Sequence, residues 1–260
     1  MKKKAIIFDL EHTLITNNDT YDMIHYYSTE ALVSFLQNTS FGKRIEYDAF
    51  KKEFKEELQK ANTNSENFEI QYSFQNILKK ILDHQGIETE TEQMEYDLKK
   101  SERAYYMDYS MNWSTFPGII EILDFLKEKN YLLAILANEP SDQAVPYLLK
   151  MCRLSKYFDK VVVSIQHNLR KPNKKLFSIL KESLPKDIDS EDIFFIGDDF
   201  QEDLVSGYLL GWKTILVNFD KGKESEKTWL PNYKGLIDES KVTKTIMNTE
   251  ELRNYFESID

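Results

Sequence analysis

Four short stretches of this 260-residue chain carry side chains whose types and spacing suit chemistry on an anion. In the first, the apolar run Ala5-Ile6-Ile7-Phe8 stops at Asp9, and Glu11 follows two positions on. The two acids point the same way if the chain stays extended. One carboxylate of such a pair can be a nucleophile or metal ligand while its neighbour moves a proton. In the second stretch, Ala137-Asn138-Glu139-Pro140 follows an apolar run. Asn138 offers an amide there, and the backbone N–H groups entering the next helix can hold an anion. The third is Lys171 before Pro172, a point charge suited to a phosphate oxygen. In the fourth, Phe194-Phe195-Ile196-Gly197 runs into Asp198, Asp199, Glu202 and Asp203. Four acids within six residues repel one another unless a cation sits among them. Hard oxygen ligands of this kind suit Mg²⁺. Each stretch has a plainer explanation: a turn with solvated acids, an ordinary strand-to-helix turn, a surface lysine, an acid-rich first helical turn. Their complementary chemistries favour a single site.

The elements that would position them are legible as pattern. Apolar, β-rich runs at 4–8, 131–136, 160–163, 192–196 and 213–217 read as strands. Apart from the first two, each is separated from the next by a helical-looking segment, which implies βαβ units around a parallel sheet. Ligands of such sheets bind beyond the carboxyl ends of the strands, where the four stretches lie. Residues 16–115 contain no convincing apolar strand. Helical spacing recurs there over 20–38, 46–61, 68–84 and 90–109, with Phe74, Ile77, Leu78, Ile81 and Leu82 on one face. A loop of that length is improbable inside a compact domain, so an inserted all-helical domain is expected at 16–115. An α/β, Rossmann-like core is then expected from 1–15 and 116–260. Pro117-Gly118 marks the return, followed by a helix over 119–129. Pro140 and Pro172 suit the first turn of a following helix, and Pro231 punctuates the later chain. A helix is expected at 200–210, a tail strand at 242–246 and a helix at 249–258.

Composition narrows the partners. Hydrophobic residues make up 41% of the chain, with 16 Phe and 15 Tyr, which is ample for a core. The net charge is −10 and no basic face stands out, so neither nucleic acid nor an anionic membrane is an expected partner. No apolar stretch approaches the ~20 residues of a membrane span. Cys152 is the only cysteine, which excludes an internal disulfide and suits a reducing cytoplasm. Lys2-Lys3-Lys4 is not read as a signal peptide, because the apolar run after it is too short and ends in Asp9. His12 is expected as a loop residue and Thr13 as a brace for that loop. His25, Tyr26 and Tyr27 read as an aromatic patch, and Trp113 and Phe116 as packing residues. His84 and His167 have no ligand partner at a useful spacing.

Taken together, the motifs resemble those of the haloacid dehalogenase-like (HAD) hydrolase superfamily, dominated by Mg²⁺-dependent phosphatases. Asp9-Leu10-Glu11-His12-Thr13 resembles its Asp-x-Asp-x-Thr motif, and Ala137-Asn138 stands where a Ser or Thr is usual. Lys171-Pro172 resembles its third motif, and Gly197-Asp198-Asp199 with Asp203 and Gly207 its fourth. Pro117-Gly118 and Gly211-Trp212-Lys213-Thr214 look like its usual connectors, and residues 16–115 resemble its first class of helical cap. The resemblance implies phosphoryl transfer to Asp9, with Glu11 protonating the leaving oxygen and then activating water. It implies Mg²⁺ held by Asp9, the backbone carbonyl of Glu11 and Asp198, with Asp199 or Asp203 in support. It implies Lys171 paired with Asp9 and a phosphate oxygen, Ala137 and Asn138 beside the phosphate, and a cap that closes and selects the substrate. That substrate would be a small phosphorylated metabolite, and the protein a monomer or weak homodimer. Two departures stand out: Glu11 replaces the second Asp, and Ala137 replaces the hydroxyl residue. The alternative expectation is therefore a catalytically weak relative that binds a phosphorylated ligand or a protein partner. A dehalogenase is less expected, since such members of the family need no metal and lack the second acid.

Overall fold

The computed structural model describes residues 4–17, 19–220, 240 and 244–259, the side chains of 66–68 excepted. Pro231 and the first two positions of the expected tail strand, 242 and 243, lie outside the described residues. Six parallel strands form the central sheet: β1 (Ala5–Phe8), β4 (Leu132–Ala137), β5 (Lys160–Val163), β6 (Ile193–Gly197), β7 (Lys213–Val217) and β8 (Lys244–Ile246). Their order is β5-β4-β1-β6-β7-β8. Strand β1 thus lies between β4 and β6, with Phe8 opposite Ile135 on one side and Ile196 on the other. Three of the four chemically suggestive stretches follow these three adjacent strands.

The apolar runs are continuous because both faces of the sheet are covered. Successive side chains of β1 point to opposite faces. Ile6 and Phe8 pack into the layer holding Ile135, Phe194, Ile196, Ile122, Leu126 and Phe256. Ala5 and Ile7 pack into the opposite layer with Ala134, Phe195, Leu176, Phe177 and Trp212. The first layer contains α5 (Ile119–Glu128) and α9 (Thr249–Ile259), and the second α7 (Lys174–Ser183). A buried side chain of the Ile or Phe type contributes about 1.5–3 kcal/mol, so these strands cannot slip by one residue without exposing a whole face.

Between the first and second strands of the sheet lie four helices: α1 (Tyr21–Leu36), α2 (Tyr47–Phe68), α3 (Phe74–His84) and α4 (Glu92–Met111). They are entered and left through a short antiparallel ribbon, β2 (Ile15–Asn17) on β3 (Trp113–Thr115), with Ile15 opposite Thr115 and Asn17 opposite Trp113. Sequence pattern does not reveal this ribbon. Each strand is three residues long and half polar, too short for a period-2 signal. The break before α3 also falls later than its spacing suggests. Glu69 takes a left-handed φ of 54° at the end of α2, and the Phe74 N–H donates to the Pro140 carbonyl of the core. Pro140 and Pro172 precede their helices rather than sitting in the first turn: α6 (Ala144–Met151) begins four residues after one, α7 two after the other. The reason at α7 is Asn173, which caps it by accepting from the Lys175 N–H. The expected helix at 200–210 is a π-helical turn, Phe200–Leu204, followed by α8 (Val205–Leu209).

Gly197, the last residue of β6, is required sterically. A Cβ there would fall 2.2 Å from Asp203 Oδ2 and 2.5 Å from Asp203 Cβ. At Gly207 in α8 an added Cβ meets only ordinary neighbours at 3.4–3.5 Å. Gly197→Ala is therefore expected to destabilise the fold by about 1–3 kcal/mol, the usual cost of overpacking. Gly207→Ala should cost less. Urea unfolding of both variants checks this, and equal losses would remove the steric argument.

Candidate active site

The site is built at the carboxyl ends of β4, β1 and β6. The Asp9 N–H donates to the Ile196 carbonyl at 2.9 Å, continuing the strand ladder one residue and fixing where its carboxylate emerges. Lys171, 2% exposed, donates from Nζ to Asp9 Oδ1 at 2.5 Å and to Asp203 Oδ1 at 2.6 Å. Thr13 braces the same place, its hydroxyl donating to Asp198 Oδ1 at 3.2 Å. Carboxylate oxygens of Asp9, Asp198 and Asp203 all lie within 4.8 Å of one another, close enough to share one cation. Such an all-oxygen donor set fits Mg²⁺.

Asp199 is spent differently. Its Oδ1 accepts from the Gln201 and Glu202 N–H groups, both at 2.8 Å, capping the π-helical turn. Its own N–H donates to Asp203 Oδ2 at 3.1 Å, which steadies the third acid of the cluster. Asn138 is likewise engaged. Its Oδ1 accepts from the Lys171 N–H at 2.8 Å, and its Nδ2 donates to Glu202 Oε2 at 2.9 Å. Glu202 is held from the other side by Arg170 Nη2 at 3.0 Å. Ala137, 3% exposed, brings only a methyl group to the cleft wall.

Glu11 contributes no carboxylate to the three-acid cluster among the described residues. Its Oε1 accepts from the Tyr109 hydroxyl at 2.8 Å and its Oε2 from the Tyr21 hydroxyl at 3.0 Å. Both tyrosines belong to the helical segment, Tyr21 opening α1 and Tyr109 near the end of α4. Burial, followed by the charge of Asp9, raises the Glu11 carboxyl to about 6, against the lowering pull of the two hydroxyls. Beside it, burial and then the charge of Glu11 hold Glu139 well above the usual carboxyl range. Burial, then Asp9 and Asp199, push Asp198 up to about 8. Burial works against the Lys171 ammonium, but Asp203 and Asp9 outweigh it and keep the lysine charged. Burial is the first cause of the raised carboxyls, and to it a space of about 200 Å³ adds the mutual repulsion of several carboxylates. A divalent cation among them would relieve that repulsion.

All the expected site residues line this one cleft: Asp9, Glu11, Ala137, Asn138, Lys171, Asp198, Asp199 and Asp203. Sequence reasoning gives no role to Tyr21, Tyr109, Glu139 or Arg170, and it places Glu202 among the acids after β6 without its partner Arg170. Glu139 and Arg170 are each adjacent to a residue already singled out, so neighbourhood was an available signal. Tyr109 lies 98 residues from Glu11 and gives none. His12 sits in the loop as expected, with a left-handed φ of 61°, and its Nε2 lies 3.0 Å from the Tyr21 hydroxyl. His25 bonds the Tyr105 hydroxyl and His84 bonds Glu53.

Comparison with known proteins bears on the family and the fold. Over 118 residues the chain is 30% identical to haloacid dehalogenase-like hydrolase domain-containing protein 3 of Xenopus laevis, a match covering 45% of this chain and 47% of that protein. It thus spans about half of that relative's length. Over 216 residues it is 25% identical to the rhythmically expressed gene 2 protein of Drosophila melanogaster, covering 79% and 82% of the two chains. Among solved structures, the HAD-hydrolase YfnB from Bacillus subtilis, bound to magnesium, matches with a TM-score of 0.60 at 19% identity, over 99% of this chain and 100% of that one. The 2-haloacid dehalogenase from Pseudomonas syringae matches with a TM-score of 0.64 at 17% identity, over 99% and 100%. At these identities the likeness is one of fold: a parallel sheet with flanking helices. The model of the haloacid dehalogenase-like hydrolases matches residues 3–207, and on that match the chain belongs to this hydrolase family.

Proposed function

We propose that this hydrolase is a Mg²⁺-dependent phosphatase that acts on a small phosphomonoester through an aspartyl-phosphate on Asp9. The observation that carries the reading is the buried bridge of Lys171 between Asp9 and Asp203, set beside an oxygen cluster of the right size for one divalent ion. In the first half-reaction an Asp9 oxygen attacks phosphorus and the bond from phosphorus to the ester oxygen breaks. The departing oxygen takes its proton from the Glu11 carboxyl. In the second, Glu11 accepts a proton from water as that water attacks the aspartyl-phosphate, and the bond from phosphorus to Asp9 breaks, releasing phosphate. Lys171 orients Asp9 and lends its charge to a phosphate oxygen. Asp9, Asp198, Asp203 and the Glu11 carbonyl would hold Mg²⁺, which would supply the charge neutralisation that phosphoryl transfer between anions requires.

On this reading residues 16–115 form a cap over a core made of 1–15 and 116–260. The cap excludes water and chooses the substrate, a small phosphorylated metabolite met in the cytoplasm by a monomer or weak homodimer. Asn138 then acts at one remove from the phosphate, since its amide holds the Lys171 backbone and Glu202. The hydroxyl usual at position 137 is missing, so the phosphate has one donor fewer.

Two measurements test the reading. Asp9→Asn, or chelation of the metal from the wild-type protein, is expected to reduce hydrolysis of aryl, sugar and nucleotide phosphates to background. Turnover that survives both treatments would sink the mechanism. Ala137→Ser is expected to raise kcat/KM, by no more than the about 10²–10³-fold that one such donor is worth. A fall on every ester tried would show instead that the cleft is shaped around the methyl group.

A further inference from the structure

Glu11 is one methylene longer than an aspartate would be, and the structure shows where the added length goes. On the core side its carboxylate meets Glu139, two residues past the end of β4. The same carboxylate lies between two hydroxyls of the helical segment, Tyr109 at 2.8 Å and Tyr21 at 3.0 Å, each donating to a different oxygen. An aspartate carboxyl would be drawn back by on the order of 1 Å, which lengthens both bonds beyond useful hydrogen bonds.

Tyr109 is held by packing on all sides, whereas Tyr21 is 42% exposed and is held on its inner side. Tyr109 is 5% exposed and packs against Tyr105, His25 and Trp113, with ring centroids 6.3, 5.7 and 5.8 Å away. Tyr21 packs on Trp113 and His25 at 6.1 Å each. Because the Tyr21 O–H is given to Glu11, its oxygen is left to accept from His12 Nε2 at 3.0 Å. The other nitrogen of His12 faces Asp220 at 3.5 Å, and Thr16 donates to that same carboxylate. A chain of polar contacts therefore runs from the end of β7 through His12 and Tyr21 to Glu11. Burial and then the charge of Glu11 raise both phenols above their ordinary values, so they remain donors throughout the usual pH range.

We propose that Tyr109 and Tyr21 are positioning residues for Glu11: the helical segment aims the second acid at the cleft, and glutamate is the residue long enough to meet it. The proposal rests on the phosphatase reading for its chemistry, but not for its geometry. When the ester oxygen leaves with the Glu11 proton, the carboxylate that remains is stabilised by two hydroxyls already aimed at it, and the same pair keeps it facing the incoming water. Glu11→Asp would lose both contacts.

Leaving-group dependence tests the role. An alkyl phosphate needs a proton on its departing oxygen, whereas an aryl phosphate with an acidic phenol departs largely without one. Tyr109→Phe and Tyr21→Phe are expected to lower kcat on the alkyl ester at least about 10-fold more than on the aryl ester, with KM moved little. Combining either with Glu11→Ala should add no further selective loss. Equal losses on both esters, or a change confined to KM, would overturn the positioning role. Thermal unfolding supplies a readout independent of turnover. In a cycle of Glu11→Ala, Tyr109→Phe and the double variant, the shifts in Tm are expected to be non-additive. Additive shifts would overturn the contact itself. If the wild-type protein hydrolyses neither ester, the phosphatase reading fails, and the unfolding cycle still decides whether Tyr109 holds Glu11.

Discussion

The ammonium of Lys171, shut between Asp9 and Asp203, is the interaction on which the rest of the site depends. Lysine and Asp203 are each 2% exposed. A buried charge is costly unless paired and hydrogen-bonded, and deleting one partner strands the others. This ammonium ties three remote parts of the chain together: the end of β1, the turn after β6 and the segment before α7. The surroundings then fix the lysine's backbone. Asn138 accepts its N–H, and Ser206 donates to the carbonyl of the next residue, Pro172. Gly197 gives the Asp203 side chain the room to lie there. What the four motifs share is therefore mechanical as well as chemical.

The core was readable from sequence because its cause is local. A strand covered on both faces must be apolar throughout, and a parallel sheet must end where its ligands bind. From Ala5–Phe8, Leu132–Ala137 and Ile193–Gly197 the positions of Asp9, Ala137 and Asp198 follow almost directly. The four helices were also legible, through faces such as Phe74, Ile77, Leu78, Ile81 and Leu82, all of which are buried. The β2–β3 ribbon was not, since three half-polar residues carry no period. The tyrosines on Glu11 were hidden for another reason. A phenol donating across 98 residues leaves no trace in spacing, and aromatic positions on a helix read equally well as packing. Tyr109 in fact does both: its ring is core and its hydroxyl is site.

The cleft thus has two halves of different origin. The sheet supplies Asp9, Lys171 and the three-acid cluster, fixed by strand register and by the buried ion bridge. The helical segment supplies the surroundings of Glu11, fixed by a stack of rings from Tyr105 through Tyr109 to Trp113. Glu11 spans the two halves, its carboxylate meeting Glu139 on the sheet side and accepting from Tyr109 and Tyr21 on the helical side. The replacement that looks like damage in the motif is, in three dimensions, a change of support.

The same view bears on charge. Among the described residues, seven carboxyl side chains line the cleft and two cationic side chains, Arg170 and Lys171, face them. Arg170 is paired with Glu202, and Lys171 already serves two acids. With Ala137 in place of a hydroxyl, the wall at that position adds no donor either. On the proposed reading an anionic substrate meets a cleft that the protein alone leaves negative, and the charges of Asp9 and Asp199 add to burial in pushing Asp198 up to about 8. The attraction that offsets it has to come from a cation held by Asp9, Asp198 and Asp203. Affinity for the phosphate group would accordingly depend on metal more steeply than in a site with its full set of side-chain donors.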